Sequence, residues 1–142
     1  MRRLFIMRKD LQMSPGKLAA QVSHCAEAYW TRALRNNAII CEDNSRYAIQ
    51  YNIDRVIFEE YVNGTFTKTI CEARNKNHLL KAKVIAEELG LEEGEHFGLI
   101  YDKCLTELQP EEDNGTTLTG IWFCPLSDEN AHLISKKYQL YR

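Results

Sequence analysis

The chain predicts an α/β fold, a three-layer α/β/α sandwich, and three observations carry that expectation. Short apolar runs alternate with longer stretches of helical periodicity along most of the sequence. Residues that break or cap structure (Ser14-Pro15-Gly16, Asn63-Gly64, Gly90 and Pro125) stand where one period gives way to the other. The length of 142 residues suits one ordinary domain, and no internal repeat or low-complexity segment divides it, so residues 1–142 read as a single domain.

Taken in order, Leu4-Phe5-Ile6-Met7 is a short apolar run bounded by charge and reads as a buried first strand. Ser14 is a good N-cap and Pro15 fits the first helical position, so a helix starts there and runs to about Arg35, ending at Asn36-Asn37. Residues 38–52 hold an apolar stretch, a polar turn at 42–46 and a second apolar-rich stretch. That pattern leaves open a hairpin or a loop with one strand. Ile53, Val56, Ile57 and Tyr61 recur at three- and four-residue spacing and predict a helix over 53–62, closed by Asn63-Gly64. The second strand is expected over 65–73, being rich in Thr, Phe and Ile. Asn75 or Asn77 then caps a helix to Leu89, with Gly90 as its stop. A third strand over 97–101 delivers Asp102 at its carboxyl end, and 109–115 is a polar turn. The fourth strand covers 116–124, Pro125 ends it, and a last helix over 128–138 leaves Leu140-Tyr141 to dock.

Composition narrows the function classes. A hydrophobic content of 44% with 27% charged residues is that of a soluble globular protein. No apolar run approaches the roughly 18 residues of a membrane helix, and Arg2-Arg3 with the short run after them make no signal peptide. Five cysteines without C-x-x-C spacing read as reduced thiols of a cytoplasmic protein. The four histidines show no metal-ligand spacing, so neither a metal nor another cofactor is expected. The net charge of −2 does not announce a nucleic-acid binder, but the charge is uneven. Arg2, Arg3, Arg8, Lys9 and Lys17 crowd the first 17 residues against Asp10, while ten carboxylates face Lys103 alone over residues 87–113. A basic start could therefore meet a phosphate backbone, with the acidic stretch turned away.

The candidate site begins at Lys17. A cation in the first turn of a helix opposes the macrodipole by a few tenths of a kcal/mol to about one. It makes sense where the helix start holds an anion or a developing oxyanion, the plain alternative being a solvated surface lysine. Gln21 and His24 follow at four and seven residues, within roughly 40° of Lys17 around the helix, so amine, amide and imidazole share a stripe. Ser23-His24 adjacency is no triad, because neighbouring helix residues diverge by about 100°. A thiol nucleophile built on Cys25 or Cys104 with His24 is the weaker chemistry, since cysteines of this kind are commonly inert core residues.

Arg8, Asp10-Leu11, Met13, Gly16-Lys17, Ala19-Ala20-Gln21, Ser23-His24 and Ala26 resemble the opening signature of the type II peptidyl-tRNA hydrolases, R-x-D-L-x-M-x-x-G-K-x-A-A-Q-x-S-H-x-A. The order of elements is similar throughout, with residues 36–52 standing out as an insertion. The resemblance implies a four-stranded mixed sheet between helices, a homodimer, and hydrolysis of the ester joining a peptide to tRNA. Carried over residue by residue, it implies Lys17, Asp102 and Thr119 as catalytic residues, and Arg8, Gly16, Gln21, His24, Thr106 and Thr117 as substrate contacts. The family pattern close to R-D-x-G-R-T-Q, followed by P-G-T-x-T, appears here as Tyr101-Asp102-Lys103-Cys104-Leu105-Thr106-Glu107 and Gly115-Thr116-Thr117-Leu118-Thr119. Leucine in place of arginine cannot bind phosphate, and glutamate in place of glutamine sets a negative charge near a polyanion. Those departures keep open two alternatives: a non-catalytic binding module on the same fold, or an esterase or amidase for a smaller acyl substrate.

Overall fold

All 142 residues are described by the structure, a computed structural model. Strand β1 (Arg2–Arg8) leads into helix α1 (Pro15–Asn37), which is followed by a hairpin of β2 (Ala38–Ile40) and β3 (Tyr47–Ile49). A single α-turn, α2 (Arg55–Ile57), widens into a π-helical stretch, Phe58–Thr65, before β4 (Thr67–Ala73). Helix α3 (Lys76–Glu88), β5 (Phe97–Asp102), β6 (Thr117–Phe123), helix α4 (Asp128–Ser135) and β7 (Gln139–Leu140) complete the chain.

The main sheet has the order β5-β6-β1-β4-β7. β1 runs parallel to β4, and the β1–β6, β5–β6 and β4–β7 pairs are antiparallel, so the sheet is mixed. It has five strands rather than four. The fifth, β7, pairs Leu140 with Cys71 and Gln139 with Glu72 on the open edge of β4. A two-residue strand has no period of its own, which is why the sequence shows only a segment that docks.

Residues Arg3 to Arg8 of β1 and all of β6 are buried, so the two central strands are covered on both faces. Cys25 of α1 packs against Met7, its Sγ 3.8 Å from the Met7 Sδ. Leu79, Ala82 and Ala86 form the buried stripe of α3, and Ala131 and Ile134 that of α4. Arg3 is fully buried in this core. Its guanidinium donates to the carbonyls of Phe123 (2.7 Å), Ala26 (3.0 Å) and Cys25 (3.1 Å), joining β1, β6 and the middle of α1. It also stands 4.9 Å over the Phe5 ring. Burial lowers its pKa, since no carboxylate offsets the lost hydration.

The caps follow the sequence closely. The Ser14 and Asn75 side chains accept the N–H groups of Lys17 and His78, and Gly90 takes the left-handed backbone (φ +81°) that ends α3. Residues 36–52 resolve into the tail of α1 and a hairpin, Ala38 facing Ile49 and Ile40 facing Tyr47. It belongs to no larger sheet, and all six of its strand residues are exposed. The expected helix over 53–62 is a short α-turn plus the π stretch, stopped at the non-helical Gly64.

Candidate active site

Strands β1, β4 and β5 end, and β6 begins, along the same edge of the sheet. A cleft of about 680 Å³ opens there beside the start of α1, lined by Lys17, His24, Tyr101, Asp102, Leu105 and Thr106 among others. Lys17 enters from the first turn of α1, placed by the Ser14 cap and by Pro15. Its ammonium donates to Asp102 Oδ1 at 2.8 Å and to Thr106 Oγ1 at 3.2 Å. Gln21, one turn further along, donates from Nε2 to the same Asp102 oxygen at 3.0 Å. The second Asp102 oxygen accepts the Cys104 backbone N–H at 3.0 Å.

Behind this pair lies Thr119, fully buried. Its hydroxyl donates to Gln21 Oε1 at 2.7 Å and lies 3.2 Å from the Ile100 carbonyl. The position follows from an irregularity between β5 and β6. Ile100 pairs with Gly120 and Tyr101 with Leu118, which leaves Thr119 without a partner in the ladder. Bulges of this sort re-aim side chains next to functional sites. Thr119 thus reaches Asp102 through Gln21 and does not line the cleft.

Burial pushes the Asp102 carboxyl up, but the Lys17 ammonium, the Cys104 N–H and the Gln21 amide outweigh it and hold the group below the usual carboxylate range. The site therefore presents an ionised carboxylate and a cation side by side at neutral pH, open on one flank to solvent.

The structure brings together Lys17, Gln21, His24, Asp102, Thr106 and Thr119, by direct contact or along the cleft wall. His24 stands on the exposed rim. Gly16 is exposed, with nothing within 4 Å of where a Cβ would stand, so the helix start stays open. Thr117 is buried, donating to the Gln109 carbonyl (2.6 Å) and accepting the Glu111 N–H (3.0 Å), which anchors the 104–111 loop.

Arg8 is turned inward. Its guanidinium is bound by Asp10 (2.7 Å) and Glu111 and donates to the Leu118 carbonyl at 3.1 Å. Burial opposes its charge, but the two carboxylates outweigh that and raise its pKa. The acidic stretch is accordingly not turned away from the basic start. Glu111 neutralises Arg8, and Glu107 accepts both the N–H (2.9 Å) and the hydroxyl (2.6 Å) of Ser14 at the N-cap of α1. These contacts with Ser14 hold the Glu107 carboxyl low.

Sequence reasoning missed two contributors. The Cys104 N–H reaches Asp102 because residue 104 adopts a left-handed backbone (φ +58°), which a cysteine does not advertise. The Glu107–Ser14 clasp is equally silent in the sequence. A Cys25 nucleophile has no support, because burial pushes that thiol up to about 12 and leaves it 0% exposed.

The fold is mixed α/β, with a lysine–aspartate pair in a cleft at one sheet edge, braced by glutamine and threonine. The family described as Peptidyl-tRNA hydrolase PTH2 matches residues 1–141, and the chain belongs to that family. Relatives named peptidyl-tRNA hydrolase include one from Methanopyrus kandleri, 28% identical over 99% of this chain and 98% of its own length. Another, from Thermoplasma acidophilum, is 25% identical over 94% of this chain and 92% of its own. One from Thermococcus onnurineus is 29% identical over 77% of this chain and 75% of its own.

Proposed function

We propose that this protein hydrolyses the ester linking a peptide to the terminal ribose of tRNA, releasing free tRNA and peptide. The observation that carries the reading is the Lys17–Asp102 pair, 2.8 Å apart on the wall of an open cleft, in a chain of the peptidyl-tRNA hydrolase family. Ester hydrolysis needs a positioned water, an acceptor for its proton and donors for the oxyanion. Asp102, held ionised, orients the water and takes its proton. The Lys17 ammonium stabilises the oxyanion as it forms on the former carbonyl. Gln21 and Thr119 fix the rotamer of Asp102 from behind, and His24 and Thr106 border the space the substrate fills.

Single-turnover hydrolysis of an N-acyl-aminoacyl-tRNA tests the assignment. Lys17→Ala and Asp102→Asn are each expected to lower the rate at least 100-fold with a much smaller change in binding, because the proposed work is done in the transition state. Equal losses in rate and affinity would overturn these roles.

The same reading takes the fold as a three-layer α/β/α sandwich, supported by the burial of both faces of β1 and β6. It takes the enzyme as a cytoplasmic homodimer. No helix is long and apolar enough to cross a membrane. Tyr47 (66% exposed), with Ile40 and Ile49 on the same face, gives the β2–β3 hairpin an uncovered apolar surface suited to a protein contact. Sedimentation should show a dimer that Ile40→Lys with Tyr47→Lys, on one face of the hairpin, dissociates; a monomeric wild type refutes it.

A further inference from the structure

Among the cations lining the cleft, Lys17 is paired with Asp102 and only Lys103 has no carboxylate within 4.0 Å. Arg8 is neutralised, Leu105 is 84% exposed at the rim and Glu107 holds the start of α1. Cations without a carboxylate within 4.0 Å gather elsewhere, where Arg74, Lys81 and Lys137 border a groove of about 440 Å³ and Lys136 lies beside it. Arg74, Lys81 and Lys137 are all exposed.

His78 organises this groove. Its Nδ1 accepts the Arg74 backbone N–H at 3.1 Å, and its Nε2 lies 3.3 Å from the Lys137 carbonyl. One imidazole thus ties the end of β4 to the turn after α4. The ring stacks on Tyr138 with centroids 4.5 Å apart, and the Tyr138 hydroxyl donates to the His78 carbonyl at 2.8 Å. The cations therefore project from a braced frame. The acids nearby are Glu88 on the groove wall and Glu72 in an adjoining hollow. Glu72 is engaged by the Arg142 N–H at 3.3 Å and lies 4.0 Å from Lys9.

The Arg74 end of the groove stands level with the cleft. Arg8 pairs with Ala73, and Met7 and Ile100 both face Gly120, so β5, β1 and β4 end level. Asp102 closes β5 and Arg74 follows β4, three strand spacings away, or about 14 Å along the sheet edge.

We propose that this groove is a second binding site, for the phosphate backbone of the RNA whose acylated end occupies the cleft. The inference rests on the proposed function and adds where the RNA body is held. Backbone contacts of this type position a nucleic acid without reading its sequence, and phosphodiesters spaced along a stem match separated cations better than one small anion does. The groove supplies three such cations where the cleft offers Lys103 alone.

The test measures binding of deacylated tRNA across salt to wild type, to the triple variant Arg74→Ala, Lys81→Ala, Lys137→Ala, and to the charge-keeping triple Arg74→Lys, Lys81→Arg, Lys137→Arg. Each lost phosphate contact removes about 0.9 from the slope of log affinity against log salt. With three contacts, wild-type affinity should fall about 40-fold more than that of the alanine variant between 50 and 200 mM salt. The charge-keeping variant should follow wild type. Cleavage of a short N-acyl-aminoacyl-adenosine should be spared relative to that of acylated tRNA, since the short substrate does not reach the groove. Parallel slopes, no tRNA binding by wild type, equal loss on both substrates, or equal affinity for polyglutamate would each overturn the groove assignment. Failure of wild type to cleave either substrate would instead overturn the hydrolase reading, while the binding slopes still decide the groove.

Discussion

Replacing Gln21 by leucine separates the support of Asp102 from its chemistry. Gln21 is 1% exposed and makes two bonds, a donation to the ionised Asp102 at 3.0 Å and an acceptance from Thr119 at 2.7 Å. A bond to a charged group contributes about 1.5–3 kcal/mol and a neutral one about 0.5–1.5. Asp102 keeps Lys17 and the Cys104 N–H, and Thr119 keeps the Ile100 carbonyl, so no buried group is orphaned. The expected loss is about 2–4 kcal/mol at neutral pH, or roughly 5–12 °C in Tm for a chain of this size. The loss should depend on pH with a definite sign. Asp102 is held below the ordinary carboxylate value by its folded contacts. Its contribution is therefore full above the unfolded value of about 3.9 and disappears as pH falls through the lower folded value. The stability gap between wild type and Gln21→Leu should narrow below about pH 4. With one supporting donor gone, Asp102 protonates at higher pH, so the acid limb of the single-turnover rate profile should move up. A loosened carboxylate should also slow turnover by about 10- to 100-fold. Urea unfolding at pH 7 and at about pH 2, together with the pH–rate profile, reads all of this. A stability loss that ignores pH, or an acid limb that stays put, would refute the positioning argument.

Two further outcomes are expected. Cys104 holds a left-handed backbone that glycine adopts without strain, so Cys104→Gly should raise stability by about 0.5–1 kcal/mol and Cys104→Val should lower it, as thermal unfolding will show. Leu105→Arg with Glu107→Gln adds a cation at the cleft rim and removes a carboxylate, so tRNA affinity should rise and its salt slope steepen by about 0.9 for the new contact; unchanged slopes would show that RNA does not pass this rim.

Much of the frame was legible because it depends on local chemistry. Ser14, Asn75 and Gly90 mark helix ends through groups within a few residues of themselves, and the structure uses each that way. Lys17, Gln21 and His24 share a face because helical geometry requires it. What stayed hidden depends on partners remote in sequence. Arg8 looks like a free phosphate ligand until Glu111, about a hundred residues on, folds back onto it. Thr119 looks like an alternating strand residue until the bulge turns it toward Gln21. The π-helical turn at 58–65 keeps nearly the apolar spacing of an α-helix, so periodicity does not distinguish them.

Arg3 bears on how the sheet finds its alignment. Successive strand residues face opposite sides, so a one-residue slip of β1 would carry the guanidinium away from the three carbonyls that receive it. With arginine there, the slipped sheet strands a charge without partners in a dry interior, at a cost of several kcal/mol. Arginine at this position thus penalises pairings in which Lys17 of α1 and Asp102 of β5 could not meet.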